Sequence, residues 1–403
     1  MQTLITDVTL VLESGCVREG YVVCDQGRIS DFGSGPVPEG PFDQVIRGDG
    51  GYAAPGFVDI HVHGGAGAEF IDGTREGFLK ALRVHLAGGT TTIVPTLSSG
   101  SLSQILSAID VFNELKAEEK ELEGIPRLAG IHMEGPYFAW EQAGAQDPEY
   151  IHPPREEEYL AILDSTDHIC RWSVACELEG ALEFGKFLAG RGIGVSIGHS
   201  DATTRQVMEA VSWGYSSVTH LYSGCSMVHR NGPFREGGVV EGAFLLDTLD
   251  VEMIADGAHL PRELLSLIYK IKGPEHIALV TDCIRCGGEN FPDGTVLLYN
   301  RERNLNVTIR NGVAVMPGGK SFAGSLATTS SLVRTMVFTV GVPLHQAVVM
   351  ASLTPARLIG MDKEIGSIEI GKRADLVLLD RELQVKSIFL GGKLADNMDS
   401  RRL

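Results

Sequence analysis

The chain has 403 residues, and its 34 lysines and arginines against 52 aspartates and glutamates give a formal net charge of −18. A chain this acidic binds nucleic-acid phosphate and anionic lipid poorly, so we expect neither a nucleic-acid partner nor a membrane partner. Hydrophobic residues make up 43% and charged residues 21% of the chain, a balance that is typical of a globular protein and excludes a disordered or fibrous one.

The first residues and the cysteines indicate a cellular compartment. The opening stretch, MQTLITDVTLVLESG, contains Asp7 and no basic region, so it lacks the pattern of a secretory signal. No apolar run approaches the roughly 20 residues that a membrane helix needs. The seven cysteines are scattered and odd in number, which is typical of free thiols in a reducing compartment. We therefore expect a cytoplasmic protein.

The two ends of the chain resemble each other. Residues 1–53 contain alternating apolar and polar stretches between glycine-rich turns, such as VTLVLESG and GYVVCDQGRISDFGSG. Residues 361–403 show the same pattern in GSIEIGKRADLVLLDRELQVKSIFLGGKL. Such stretches predict short strands, so we expect one small β-sandwich domain built from both termini.

The middle of the chain, residues 54–360, alternates apolar strand-like segments with helical patterns such as REGFLKALRVHLAGG. Strands that alternate with helices predict a parallel sheet, and eight such units predict an α/β fold with a (β/α)₈ TIM-like barrel. The eight strand candidates are Phe57–His63, Thr91–Pro95, Leu128–Glu134, Trp172–Glu177, Gly194–His199, Ser217–His220, Val251–Asp256 and Ile277–Asp282.

Ionisable residues end most of these strands, although a buried parallel strand should be apolar throughout. Barrel enzymes carry their chemistry at that end of the barrel. Residues i and i+2 of a strand point the same way, so Asp59, His61 and His63 line one face. Imidazole and carboxylate groups are ligands for zinc and for other divalent transition metals. The candidate metal ligands are His61, His63, Glu134, His199, His220 and Asp282.

This ligand set is large enough for one or two divalent ions, zinc or iron first and manganese or cobalt as alternatives. Asp282 is also a candidate general base, because a metal lowers the pKa of bound water toward neutrality. Two further motifs carry less chemistry. Cys283 and Cys286 form a CxxC without a second cysteine pair, and Gly318-Gly319-Lys320 lacks the GxxxxGK[ST] spacing of a phosphate loop.

The motifs resemble those of a known family. PGFVDIHVHGG, residues 55–65, looks like the opening motif of the amidohydrolase superfamily. HMEGPYF, IGHSDAT, THLY, ADGAHL, LVTDC and FAGSLATT follow in the order found in the N-acetylglucosamine-6-phosphate deacetylase family. The closing SLTPARLIGM and GSIEIGKRADLVLLD are also typical of the superfamily, so the resemblance spans essentially the whole chain.

The resemblance implies a metal-dependent barrel with a small β domain. It matches Glu134, His199 and His220 to the principal metal ligands and Asp282 to the catalytic aspartate that activates water and then protonates the leaving amine. In addition, His259 matches a substrate-binding histidine. Arg235 matches an arginine that reaches the sugar phosphate from the neighbouring subunit, which implies a homodimer. The remaining possibility for Arg235 is a surface residue paired with Glu236 or Glu241.

Two departures from the family pattern concern the pocket. Many members have Leu-Tyr-Asn-Ala-Met after the histidine of the sixth strand, where this chain has Leu-Tyr followed by Ser223, Gly224 and Cys225. The loop from His220 to Arg235 is also a few residues longer than in those members. Gln146 stands at a position where some members have a histidine. Other members have glutamine there and keep the His-x-His pair. This combination favours a site with two metals bridged by Glu134.

The sequence thus predicts an enzyme that removes the N-acetyl group of an N-acetylhexosamine 6-phosphate, first of all N-acetylglucosamine 6-phosphate. One alternative is another amidohydrolase that acts on a different N-acyl or cyclic amide. The other is a non-enzymatic sensor, which is disfavoured because such a protein tends to lose Asp282 or a metal ligand. The predicted substrate-binding residues are Gln146, Ser223, Gly224, Arg235 and His259.

Overall fold

The computed structural model describes residues 1–288, 291–300 and 305–395. Its centre is a nearly closed barrel of eight parallel strands, each hydrogen-bonded to the next in chain order. The first to eighth barrel strands are Phe57–Val62, Thr90–Leu97, Ile131–Glu134, Ile169–Val174, Gly194–Ile197, Tyr215–Val218, Asp250–Met253 and Ile277–Leu279. A two-residue strand, Arg127–Leu128, pairs with the second strand just before the third. The predicted α/β barrel is therefore confirmed.

Several barrel strands are shorter than predicted at their carboxyl ends. The fifth, sixth and eighth strands end before His199, His220 and Asp282 respectively. These three residues have positive φ angles of 46°, 29° and 45°, which a strand cannot accommodate. The candidate ligands therefore lie in the first turn after each strand.

Helices connect the barrel strands and cover the outside of the barrel. The described residues contain α-helices at Arg75–Ala87, Leu102–Ala117, Glu156–Ser165, Ala181–Ala189, Thr204–Ser212, Val239–Leu245, Arg262–Lys272, Thr329–Arg334, Leu344–Ala351 and Leu353–Leu358. A π-helix, Thr335–Val340, continues the eighth of these, and short 3₁₀-helices lie at Phe70–Asp72, Trp140–Gln142 and Pro274–His276. No helix in these ranges is both long and apolar enough to cross a bilayer.

A second sheet contains strands from both ends of the chain. Its strands are Gln2–Leu12, Gly15–Asp25, Arg28–Ser34, Gln44–Pro55, Leu376–Leu379, Val385–Leu390 and Lys393–Leu394. All seven are hydrogen-bonded in one continuous order. Residues such as Ile5, Val22 and Phe389 form a core of their own, whereas Val377 and Leu379 pack into the core of the barrel. The sheet is thus fixed to the barrel by burial of one set of its apolar side chains.

An insertion that the sequence analysis did not predict follows the eighth barrel strand. It forms a four-stranded antiparallel sheet, Val296–Asn300, Leu305–Arg310, Val313–Val315 and Phe322–Gly324. Two-stranded ribbons pair Gly64–Gly65 with Ala68–Glu69 and His229–Asn231 with Phe234–Glu236. The inserted sheet and the first ribbon contribute residues to the carboxyl end of the barrel.

Hydrogen bonds join the first and eighth strands where the sheet closes. The backbone N–H of Asp282 donates to the carbonyl of His61 over 2.9 Å, and that of His63 donates to the carbonyl of Cys283 over 2.9 Å. Two residues earlier in the first strand, the Asp59 carboxylate accepts a 2.5 Å hydrogen bond from the Thr281 hydroxyl. Burial raises the pKa of Asp59 to about 7. Asp59 therefore helps to close the barrel through Thr281, and it also accepts a hydrogen bond from the backbone N–H of His61 over 3.3 Å.

Candidate metal centre and active site

The six predicted metal ligands converge at the carboxyl end of the barrel. His61 lies within the first strand, Glu134 ends the third strand, and His63 directly follows the first strand. His199, His220 and Asp282 lie two or three residues beyond the ends of strands five, six and eight. All but Asp282 are buried, and the side chain of Asp282 is only 14% exposed. Parallel strands bring their carboxyl ends to one face, which explains how residues 221 positions apart in the chain, His61 and Asp282, become neighbours.

Glu134 is at the centre of this cluster. Its Oε1 lies 3.2 Å from His199 Nε2, 3.0 Å from His220 Nε2 and 3.3 Å from His61 Nε2. Its other oxygen, Oε2, lies 3.3 Å from His63 Nε2. The ligand atoms form two groups that share Glu134, one with His61 and His63 and one with His199 and His220.

These separations match the coordination shell of a metal ion. Imidazole nitrogen and carboxylate oxygen lie about 2.0–2.2 Å from zinc, so two ligands of a tetrahedral ion are about 3.3–3.5 Å apart. The nitrogens of His61 and His63 are 3.3 Å apart, and Asp282 Oδ1 lies 3.2 Å from His63 Nε2 and 3.5 Å from His61 Nε2. The residues therefore fit one or two divalent ions.

The hydrogen bonds of Nδ1 define the tautomers of His199 and His61. His199 Nδ1 lies 2.7 Å from the carbonyl of Gln142, which only accepts hydrogen bonds, so this nitrogen carries the proton. His61 Nδ1 donates in the same way to the Glu252 carboxylate over 2.8 Å. In the neutral ring, Nε2 of each residue then presents a lone pair to Glu134. The lone pair on each Nε2 and those on the Glu134 oxygen repel each other, and a cation between these atoms removes the repulsion.

The charges at the centre also favour a cation. Burial lowers the pKa of His63, but the charges of Glu134 and Asp282 outweigh burial and raise it to about 9. His61 is affected in the same sense, since Glu252 and Glu134 outweigh its burial and raise its pKa well above its ordinary value. For Glu134, burial raises the pKa, and the surrounding imidazoles lower it well below the usual range. Positive charge between the carboxylates and imidazoles is therefore stabilised.

Glu252, in the seventh barrel strand, was missed by the sequence analysis. Its fully buried carboxylate accepts from His61 Nδ1 and from the backbone N–H of His220, the latter over 3.3 Å, and pairs with the guanidinium of Arg171. Arg171 in turn donates to the carbonyl of Ile60 over 3.1 Å. Outer partners of this kind fix the orientation of metal-ligating histidines.

A cavity of about 280 Å³ opens onto the cluster. That volume suits a small polar ligand. It is lined by four of the five predicted substrate residues, Gln146, Ser223, Gly224 and His259. His259 is oriented by Asp256, whose carboxylate lies 2.7 Å from His259 Nδ1. The side-chain amide of Gln146 donates to Glu134 Oε2 over 2.5 Å, so Gln146 orients the central carboxylate as well as lining the cavity.

Glycine at position 224 has a local cause. Its φ is +55°, and an added Cβ would lie 2.8 Å from His199 Nδ1 and 3.2 Å from the Gln142 carbonyl. A side chain there would therefore clash with the hydrogen bond that orients His199. This explains one of the three differences from the family pattern at Ser223, Gly224 and Cys225.

Arg235 is the predicted substrate residue that the structure does not place in the cavity. It lies on the exposed ribbon His229–Asn231/Phe234–Glu236, directly opposite Arg230. Within the described ranges, Arg235 forms no salt bridge with Glu236 or Glu241. Its position on one chain therefore leaves it available to a second molecule.

Cys283 and Cys286 are both buried, and neither forms a disulfide. The lining residues of the cavity that were not singled out as site residues from the sequence include Glu69, Tyr299 and Lys320, and Glu69 pairs with Arg285 over 3.1 Å. Glu69 belongs to the first ribbon, whereas Tyr299 and Lys320 belong to the inserted sheet. No sequence pattern links these segments to the barrel strands.

Comparisons with known proteins give the same family. A model described as "Amidohydrolase family" matches residues 52–395. N-acetylgalactosamine-6-phosphate deacetylase of Escherichia coli O157:H7 is 34% identical over 383 residues, which cover 94% of this chain and 96% of that protein. N-acetylglucosamine-6-phosphate deacetylase of Lysinibacillus sphaericus is 30% identical over 398 residues, which cover 98% of both chains.

Solved structures agree with the sequence relatives. A mutant N-acetyl-D-glucosamine-6-phosphate deacetylase from Mycobacterium smegmatis, in complex with N-acetyl-D-glucosamine-6-phosphate, superposes with a TM-score of 0.87 at 29% identity and covers 98% of this chain and 100% of that one. The corresponding enzyme of Pasteurella multocida gives a TM-score of 0.88 at 27% identity, with 98% and 100% of the two chains covered. The chain therefore belongs to the amidohydrolase family and, within it, to the N-acetylhexosamine-6-phosphate deacetylase group.

Proposed function

We propose that this hydrolase removes the N-acetyl group of an N-acetylhexosamine 6-phosphate, first of all N-acetylglucosamine 6-phosphate, and releases acetate and the amino sugar phosphate. The observation that carries the proposal is the cluster around Glu134, which opens into a small polar cavity in a chain whose full-length relatives are deacetylases of this class. The 34% identity to an N-acetylgalactosamine-6-phosphate deacetylase makes the galactosamine isomer the second candidate substrate.

The metal site of this proposal consists of His61, His63, Glu134, His199 and His220. One or two divalent ions, zinc or iron first and manganese or cobalt as alternatives, suit these ligands. The Glu134 carboxylate contacts both histidine pairs, with Oε1 near His61, His199 and His220 and Oε2 near His63, which supports a bridging role. When bound, such ions polarise a carbonyl group and lower the pKa of water toward neutrality.

Asp282 is proposed as the residue that moves the proton. Its Oδ1 borders both His61 and His63 at the floor of the cavity. Burial raises the pKa of Asp282, but the hydrogen bond from His63 and the nearby imidazoles lower it below its ordinary value. The carboxylate is therefore ionised at neutral pH, able to accept a proton from the attacking water and return it to the leaving amine.

Arg235 is proposed to contact the 6-phosphate in the cavity of a second copy, which makes the active unit a homodimer. The ribbon that carries it also exposes Phe234, which is 75% accessible in the single chain. Arg230 and Arg235 lie directly opposite each other on this ribbon, and like charges in that arrangement repel unless an anion lies between them. Guanidinium groups match phosphate geometry well.

A cytoplasmic location is proposed alongside this function. None of the seven cysteines, all of which lie in the described residues, forms a disulfide. Thiols that stay unpaired are typical of a reducing compartment. A phosphorylated sugar substrate, which does not cross membranes freely because of its charge, fits the same location.

The first prediction concerns the substrate. Purified protein is assayed for acetate release from N-acetylglucosamine 6-phosphate, N-acetylgalactosamine 6-phosphate and both unphosphorylated sugars. We expect N-acetylglucosamine 6-phosphate to give the highest kcat/KM. Its kcat/KM should exceed those of the free sugars because the phosphate adds charge-assisted contacts that the free sugars lack. Preference for an unphosphorylated sugar would overturn the substrate class while leaving amide hydrolysis in place.

A second prediction concerns Asp282→Asn, which keeps the size of the side chain but cannot accept a proton. General acid–base steps are worth about 10²–10⁴-fold, and this residue serves both proton transfers, so we expect kcat to fall by about 10⁴-fold or more. The exposed carboxylate of Asp164 provides the control variant Asp164→Asn. A variant that retains its metal and remains within about tenfold of wild type would contradict the assignment.

Glu252→Gln tests the orientation of His61 by its buried partner. We expect the affinity for the ion held by His61 and His63 to fall about 10–100-fold, the usual effect of losing an outer carboxylate partner. Affinity is measured by competition with a chelator and metal analysis, with circular dichroism to verify folding. Glu263→Gln, at an exposed helix start, is the control. Wild-type affinity in Glu252→Gln would show that Glu252 does not support the metal.

For Arg235→Ala, we expect kcat/KM for the 6-phosphate to fall about 10²-fold, the scale of a lost hydrogen bond to a charged group. Activity on the unphosphorylated sugar should change little, since that substrate never makes the contact. Arg262→Ala, on an exposed helix, controls for the loss of one positive charge. Equal losses on both substrates would instead show that Arg235 supports the ribbon.

A further inference from the structure

Lysine and arginine are scarce in the lining of the catalytic cavity, although this cavity is proposed to receive a phosphate ester. Three carboxylate residues, Glu69, Glu134 and Asp282, line it, within a chain of net charge −18. Among the described residues, Lys320 is the only lysine or arginine in its lining. An anionic substrate entering this cavity therefore meets one lysine of its own subunit.

The turn that carries Lys320 is well defined. It joins two strands of the inserted sheet, Val313–Val315 and Phe322–Gly324, and is closed by hydrogen bonds from Gly319 N–H to the Met316 carbonyl over 3.0 Å and from Met316 N–H to the Ser321 carbonyl over 3.0 Å. Gly318 and Gly319 have φ angles of +86° and +69°, which other residues rarely adopt. The two glycines thus permit the backbone that positions Lys320.

Lys320 is exposed and makes no hydrogen bond or ion pair with any residue of the described ranges. A second cation lies near the same turn. The Arg310 guanidinium is 3.5 Å from the position that a Cβ on Gly319 would occupy. Two residues beyond Lys320, the ring of Phe322 lies 4.5 Å from the ring of His259. Lys320 therefore lines the same cavity as the predicted substrate-binding histidine, and its charge is not compensated by a side chain of the described ranges.

We propose that Lys320 is a specificity-determining residue that contacts the anionic group of the substrate, a phosphomonoester, at the mouth of the cavity. The inference rests on the proposed deacetylase function and adds a contact from the same subunit. Because the ammonium is exposed, its attraction for a dianion acts through solvent and weakens as ionic strength rises.

The test compares wild type with Lys320→Met, Lys320→Arg and the control Lys393→Met, which removes an exposed charge from the terminal sheet. Steady-state kinetics are measured on N-acetylglucosamine 6-phosphate and on N-acetylglucosamine, at low and high salt. We expect Lys320→Met to lower kcat/KM for the phosphate about tenfold, mainly through KM, and to leave the free sugar unaffected. Lys320→Arg should remain near wild type, and the deficit should shrink at high salt.

An equal loss on both sugars, or no loss on the phosphate, would overturn the role of Lys320. If wild type hydrolyses none of the N-acetylated sugars, the deacetylase proposal fails. Calorimetry with glucosamine 6-phosphate and glucosamine then tests separately whether Lys320 contacts the phosphate. A weaker Kd for the phosphate in Lys320→Met, with no change for glucosamine, supports the anion contact. Unchanged Kd values for both would refute it.

Discussion

The structure depends on the interaction of one buried carboxylate, Glu134, with four imidazole groups. Only 2% of Glu134 is exposed, and all four nitrogens lie within 3.0–3.3 Å of its oxygens. Such a concentration of charge and lone pairs in a buried site is unstable without a compensating cation. The barrel can hold Glu134 and the four imidazoles close together because its packed apolar core keeps the strands that carry them in fixed positions.

The surrounding residues keep these ligands in one orientation. Gln146 holds one oxygen of Glu134, the Gln142 carbonyl holds His199, and Glu252 holds His61. The left-handed backbone at His199 and Asp282 carries strain of a kind that persists where the surrounding structure stabilises it. Ligand position is thus determined by backbone, hydrogen bonds and packing together, so the site exists before any substrate enters.

The sequence predicts the barrel and the ligands well, for physical reasons. Buried parallel strands give apolar runs, and the period of two along a strand correctly places His61 and His63 on one face. The same period also placed Asp59 there, but that carboxylate lies two residues earlier and bonds to Thr281. Periodicity fixes which way a side chain points and leaves open how deep in the barrel it lies.

Other parts of the site could not be predicted in this way. Glu252 occurs in the short strand Asp250–Met253, outside the motifs that the sequence analysis used, and only the barrel fold brings it to His61. Tyr299 and Lys320 reach the cavity through an inserted sheet whose packing is determined by long-range contacts. Arg235 lies on an exposed ribbon of the single chain, and its proposed contact with the sugar phosphate involves a second chain.

We propose that the carboxylate of Glu134 joins two histidine pairs around divalent metal. This can be measured by elemental analysis of wild type and of a His61→Ala/His63→Ala variant, both purified without chelators. We expect about two ions per chain in wild type and about one in the variant, because each histidine pair would complete one coordination shell with Glu134. Equal metal content in the two proteins, or full acetate release after chelation of all metal, would contradict it.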